Sequence, residues 1–284
     1  MSYEIRTMTR SDLALVLTWA DAEGWNPGRH DLGSFLSTDS NGFFVGVLDG
    51  QPIASLSAVA YDDSYGFIGF YIVKPEYRGQ GYGLRIWKHG MAYLGGRTIG
   101  LDGVVAQQDN YRKSGFEIAT KNIRFAGTLS TDATFRSLPH LKLVEASSIP
   151  LPVLSAFDQI YYPAPRESFL SRWTEQPETT ALAVLSLDGT LLGYGAIRPA
   201  ARAWRVGPLF ARTVEAARTL FIALVAETGG EPFCFDAPEA NGDAVALARE
   251  FGLEAVFSTA RMYTKSRPQI DIAGIYGLTS LELG

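Results

Sequence analysis

The sequence predicts an α/β protein of the α+β kind, built twice over: two similar units, each a mixed, mainly antiparallel sheet flanked by helices. Three observations carry this. Strand-like and helix-like apolar runs alternate along all 284 residues, a length that suits two medium domains better than one. The hairpin signal of "FFVGVLDGQPIASLSAV" (43–59), with Asp49-Gly50 between apolar runs, returns in "ALAVLSLDGTLLGYGAI" (181–197) with Asp188-Gly189. The helix ends "YRKSGFE" (111–117) and "AREFGLE" (248–254), each closed by a glycine, repeat at nearly the same offset.

In the first unit the pattern gives a strand at 4–7 and a helix to about 21, capped by Ser11 or Asp12. A loop and short helix follow over 22–38. Strands at 43–48, 52–61 and 66–74 come next, then a helix at 81–94, a strand at 98–102, a helix near 106–114 and a final strand at 116–126. The second unit follows with helices at 150–158 and 166–174 and strands at 181–187, 191–198 and 204–210. A helix at 213–228, a strand at 232–236, a helix at 241–251 and a strand at 254–263 complete it. The polar stretch "GTLSTDATFRSLPH" (127–140) marks the boundary. The expected division is 1–127, a linker over 128–142, and 143–284.

A formal charge of −5, with no basic tract, argues against nucleic acid or an anionic membrane as partner. The single cysteine, Cys234, excludes an intramolecular disulfide and suits a reducing, cytoplasmic setting as a buried small residue. The start "MSYEIRTMTRSDLA" has no apolar signal segment, and "LFIALVA" is too short to span a bilayer. His89 and His140 have no neighbours at metal-ligand spacing, so no metal is expected.

The run "KPEYRGQGYG" (74–83) sits between a strand and a helix. Glycines there free the backbone amides to converge on one anion, and the helix start adds partial positive charge. Phosphate is the natural ligand. No Gly-Lys-Ser/Thr follows, which excludes a P-loop, and Gly79-x-Gly81-x-Gly83 is not the dinucleotide fingerprint. Asp102, at the distance of a ribose contact, is read as a strand end only.

With its flanks, "YIVKPEYRGQGYG" resembles the acetyl-CoA signature of the GNAT superfamily of N-acetyltransferases, whose Arg-x-x-Gly-x-Gly is met by Arg78, Gly81 and Gly83. "IRTMTRSDL", "EGWNPG", "GLDGV" and "NYRKSGFE" extend the resemblance to a bacterial subgroup with a second, degenerate GNAT-like domain. The resemblance implies tandem GNAT-like folds. It implies that the amides of Arg78, Gly79, Gln80, Gly81, Tyr82 and Gly83 hold the pyrophosphate of acetyl-CoA. The main chain of Tyr71, Ile72 and Val73 would pair with the pantetheine arm as an added strand.

Acetyl transfer to an amine requires the neutral nitrogen, roughly one molecule in a few thousand at pH 7 for an amine pKa of about 10.4. It also requires a proton for the leaving thiolate. Tyr111, five residues before Phe116, stands where GNAT enzymes often carry the tyrosine that supplies it. Val104 replaces the asparagine common seven residues earlier. Glu23 is the expected base or amine anchor, and Trp25 and Asn26 the expected acceptor-pocket residues. A small-molecule amine is the expected partner. A non-catalytic acyl-CoA-binding sensor or scaffold and a peptide or protein acetyltransferase are the rival expectations.

In the second unit the equivalent of the glycine bend reads "WRVGPLFARTVEAARTL" (204–220), without Arg-x-x-Gly-x-Gly, and Ala248 stands at the tyrosine position. Asn241 keeps the asparagine lost from the first. Closing the acceptor pocket, forming a homodimer and binding its own ligand are the roles open to it. The end "MYTKSRPQIDIAGIYGLTSLELG" is expected to be ordered and to pack on a neighbour.

Overall fold

A computed structural model describes residues 2–129 and 138–284. The first half contains β1 (Tyr3–Thr7), α1 (Arg10–Ala22), α2 (Asp31–Thr38), β2 (Phe43–Leu48), β3 (Gln51–Ala60) and β4 (Tyr65–Val73). It continues through α3 (Tyr82–Tyr93), β5 (Thr98–Val104), α4 (Gln108–Lys113) and β6 (Glu117–Gly127). The second half runs β7 (Leu141–Glu145), α5 (Leu151–Asp158), α6 (Glu167–Trp173), β8 (Thr180–Ser186), β9 (Leu191–Arg198) and β10 (Trp204–Ala211). It ends with α7 (Val214–Ala226), β11 (Phe233–Pro238), α8 (Gly242–Glu250), β12 (Glu254–Tyr263) and β13 (Ile275–Gly277).

Local chemistry explains most boundaries, with one revision. The cap of α1 is Thr9, not Ser11 or Asp12: its hydroxyl accepts the Asp12 amide, and the Asp12 carboxylate accepts the Thr9 amide. Two strands were missed by periodicity. β7 is a short edge strand with no fully buried residue, so its alternation is weak, and β13 spans only three residues. Most of the expected linker, 130–137, lies outside the described residues; Leu141 and Lys142 already belong to β7.

The two halves share one sheet, in the order β1-β2-β3-β4-β5-β12-β6-β11-β10-β9-β8-β7, with β13 beside β10. β12, from the second half, takes the place next to β5, while β6, from the first, takes the place next to β11. The exchanged strands lie antiparallel to each other at the centre. A single apolar cluster runs through both halves, with Phe35, Phe70, Trp173, Tyr194 and Phe210 among its buried members. Across the seam α2 meets α6, where the rings of Phe35 and Trp173 stack with centroids 6.1 Å apart.

Buried ion pairs tie the seam. Both oxygens of Asp236 accept from Arg124, at 2.8 and 2.9 Å. Arg205 also donates to Asp236 (3.1 Å) and to Glu282 (3.2 Å). Burial opposes ionisation of Asp236, but the two guanidiniums outweigh it and hold the carboxyl below its ordinary range. Arg198 grips Asp31, and Arg261 of β12 grips Asp102 of β5.

Each half contains a strand that parts from its parallel neighbour. β4 pairs with β5 only over Tyr65–Ile68 against Thr98–Leu101. Beyond that it bulges, with Phe70 at φ 45°, and diverges. β10 likewise pairs with β11 only over Trp204–Val206 and then shifts register against β9. In this second splay lies β13, antiparallel to β10, and the Leu278 amide continues the pairing to the Asp236 carbonyl at 2.7 Å. The final residues therefore pack within their own chain. They pass so close to both strands that a side chain at Gly69 or Gly207 would collide with the backbone of Glu282 or Leu278.

Removing the charge at Asp236 leaves Arg124 and Arg205 in a buried seam with half their counter-charge lost. Asp236→Ala should lose on the order of 3–5 kcal/mol. In urea melts, circular dichroism and tryptophan fluorescence should shift together; two separated transitions would contradict the shared core.

Candidate active site

The splay between β4 and β5 opens into a cavity of about 620 Å³. One end is formed by the glycine bend. Gly79 and Gly81 sit at φ 75° and 85°, which side chains rarely adopt, and open space surrounds both. Gly81 is the N-cap of α3 and offers no capping side chain. Among the described residues, no acceptor faces the backbone amides from Gly79 to Leu84. Six free amides thus cluster at an uncapped helix start, an arrangement suited to an anion. Gly83 is required for a different reason: a Cβ there would stand 2.7 Å from the Tyr71 hydroxyl.

The other residues of the bend divide by what their side chains do. Arg78 uses its own amide on the Pro75 carbonyl, so that group is not free. Its guanidinium donates to the Val73 carbonyl (2.8 Å) and to Glu23 (2.5 Å), pinning the bend to the end of α1. Gln80 folds back onto the Glu76 carbonyl, and Tyr82 packs on Tyr3 with centroids 4.8 Å apart. Neither Gln80 nor Tyr82 lines the cavity, although their amides face free space. Tyr71, Ile72, Val73, Arg78, Gly79, Gly81 and Gly83 do line it.

Tyr111 enters from α4 beneath the splay. Its ring packs on Trp87 (5.4 Å), which in turn packs on Tyr71 (5.3 Å), and Gly103 lets it lie flat against β5. Its hydroxyl has no hydrogen-bond partner among the described residues. Burial pushes the phenol well above its ordinary value, with the neighbouring Tyr71 adding to it, so the proton stays on the oxygen at neutral pH.

Glu23 and Trp25 lie on the cavity wall, but Asn26 does not. With φ 55°, Asn26 accepts the Arg202 amide at 2.7 Å and donates to the Ala203 carbonyl at 3.0 Å. Its side chain is consumed in joining the halves, so it is reassigned from pocket to seam. Cys234 is buried beside it, and burial raises its thiol, which keeps it protonated and unreactive.

Sequence reasoning missed the part of the wall that the second half supplies. Phe257 and Thr259 line the cavity from the exchanged strand β12, and Leu281 and Glu282 from the final segment. Asp102, read as a plain strand end, also lines the cavity; burial raises its carboxyl and Arg261 counters it. No local motif announces that the second half lends these residues to the first. Among the described residues no cluster of three His, Cys, Asp or Glu is placed to hold a metal, and no helix is long and apolar enough to cross a membrane.

Residues 8–116 match the family model described as acetyltransferase (GNAT) family, and residues 154–277 a second one described as acetyltransferase (GNAT) domain. The holothin acyltransferase of Pseudoalteromonas sp. (strain SANK 73390) is 32% identical over 271 residues, which is 95% of this chain and 90% of that protein. Among solved structures, an acetyltransferase candidate from Pyrococcus horikoshii covers 99% of this chain and 96% of its own, with a TM-score of 0.82 at 21% identity. A tandem GNAT protein from the clavulanic acid biosynthesis pathway covers 94% of this chain and 100% of its own, with a TM-score of 0.64 at 13% identity. With two GNAT domains and a named relative aligned along nearly its whole length, this chain belongs to the GNAT family of acyltransferases.

Proposed function

We propose that the chain is an acetyl-CoA-dependent N-acetyltransferase that passes the acetyl group directly to a primary amine of a small molecule. The observation that carries this reading is the row of free amides from Gly79 to Leu84, opening onto the unpaired edge of β4. Acetyl-CoA would supply the activated acyl carbon and a thiolate leaving group. The residues present fit it: the amides of Gly79–Leu84 would receive its pyrophosphate, and the edge of Tyr71–Val73 would pair with its extended amide-bearing arm. Residues 1–127 would hold the acetyl-CoA part of this site, and the second unit, from β7 onward, would supply the rest of its wall.

The rest of the cavity supports transfer in place of storage. Tyr111 holds a proton on an unengaged hydroxyl between the splay and α4, where a departing sulfur would need it. Glu23 is bound to Arg78, which suits a clamp between α1 and the glycine bend better than a free base. Trp25, Phe70 and Leu281 give the acceptor side an apolar wall that excludes water. Leu281 and Glu282 of the final segment wall the cavity beside Gly69, a covering that favours a small acceptor over a peptide.

Two variants test separate parts. Gly81→Ala keeps open space but strains the φ of 85° by roughly 1–2 kcal/mol. If the bend relaxes, acetyl-CoA affinity by calorimetry should fall about 5- to 30-fold. Gln80→Ala should leave it unchanged, since that side chain is turned away. Tyr111→Phe should lower kcat by about 100-fold or more while acetyl-CoA affinity stays within about twofold. Unaltered turnover in that variant would remove Tyr111 as the acid; binding without turnover of any amine would favour a sensor.

A further inference from the structure

We propose that the Glu282 side chain receives the amino group of the acceptor, and so selects small amines where the final segment walls the cavity. This rests on the reading of the cavity as an acetyl-transfer site. Three carboxylates line the cavity: Glu23, Asp102 and Glu282. Glu23 stands at the glycine bend and is engaged by Arg78. Asp102 accepts from Arg261 on both oxygens, at 2.7 and 2.8 Å, and from Asn122. Glu282 differs. Its Oε1 accepts from Arg205 at 3.2 Å, while Oε2 is buried with no hydrogen-bond partner among the described residues.

A buried carboxylate oxygen left without a donor is costly, and its persistence calls for a ligand that supplies one. The neighbouring charges leave that role open. Arg124 and Arg205 face Asp236 and Glu282, two guanidiniums for two carboxyl groups, which leaves no surplus cation in the cluster to occupy Oε2. An amine is the donor that an N-acetyl transfer site admits there. Phe70, Phe257 and Leu281 would take its apolar body.

The segment carrying Glu282 is held for this purpose from several sides. The hydroxyls of Tyr61 and Tyr162 both donate to the Leu283 carbonyl, at 2.8 and 2.9 Å. The Leu283 amide donates to Ser280 Oγ at 3.0 Å. Gly69 of β4 presses against the Glu282 backbone, where any side chain would displace it. The carboxylate is thus fixed relative to the bulged strand that carries the acyl end of the cavity, as a selecting group must be.

Glu282→Gln tests the proposal because Arg205 will hold the amide oxygen and turn the NH₂ toward the acceptor, setting donor against donor. The assay is release of free CoA from acetyl-CoA with benzylamine, phenethylamine, tyramine and cyclohexylamine, together with calorimetry of acetyl-CoA binding. The expected result is that at least one amine is acetylated and that its KM rises about tenfold or more in Glu282→Gln, with acetyl-CoA affinity unchanged. Glu282→Asp, which keeps the charge but draws it back by one methylene, should give a smaller rise and carries the test if the glutamine variant does not fold. An unchanged amine KM in both variants overturns the proposal, as does a loss of acetyl-CoA affinity that parallels the loss of turnover. Acetyl-CoA binding with no amine acetylated overturns the small-amine assignment alone. No acetyl-CoA binding by the native chain overturns the transfer reading beneath it.

Discussion

A strand edge that turns into the protein interior must find partners for its amides and carbonyls, and both halves of this chain contain one. β4 and β10 each bulge, and each parts from its parallel neighbour after a few residues. The halves answer the constraint differently. In the second, β13 lies along β10 and closes the gap with the chain's own backbone. Asn241 secures it, capping α8 with its side-chain oxygen while its amide donates to the carbonyls of Ala273 and Ile275. In the first half the corresponding edge borders a cavity. The helix that follows each splay tells the same story: α7 is capped by Thr213, whereas α3 starts at a bare glycine with its amides unused. One splay is filled by the chain's own backbone and the other borders the cavity.

Strand exchange makes the sealed half indispensable to the open one. Through β12 and the final segment, the second half provides the far wall of the cavity, and through Arg261 it holds Asp102 in place. Buried ion pairs bind the arrangement. Such pairs seldom add much stability over apolar packing, but breaking one is expensive, so they fix the relative placement of the elements they join. The seam formed by Arg124, Arg205, Asp236 and Glu282 links β6, β10, β11 and the final segment, which fixes where Glu282 meets the cavity. Asn26 adds a backbone tie of the same kind from the loop after α1.

Much of this was legible in the sequence where the physics is local. Hairpins with Asp-Gly, glycine-closed helices and the glycine bend each depend on a few adjacent residues, and these placed the two-fold repeat and one end of the cavity. Tyr111 and Trp25, expected from the family resemblance of the segments that carry them, both line the cavity. Non-local pairing was not legible. Nothing in "EAVFSTARMY" or in "FEIATKNIRFAG" says that the two strands change places, since either strand would satisfy the same alternation in its own half. Glu282 and Phe257 were invisible for that reason, and Asn26 was misassigned because its partners lie in the other half. β13 escaped because three residues carry no period; its role comes from the edge it covers.

The central claim is that an acyl-CoA occupies the one splay the chain does not fill for itself. Calorimetric titration of the purified protein with acetyl-CoA tests it most directly, because it reports stoichiometry as well as affinity. The account predicts one site per chain. Two sites would mean that β13 yields its place and that the second half binds as the first does, and no binding would return the glycine bend to a structural turn.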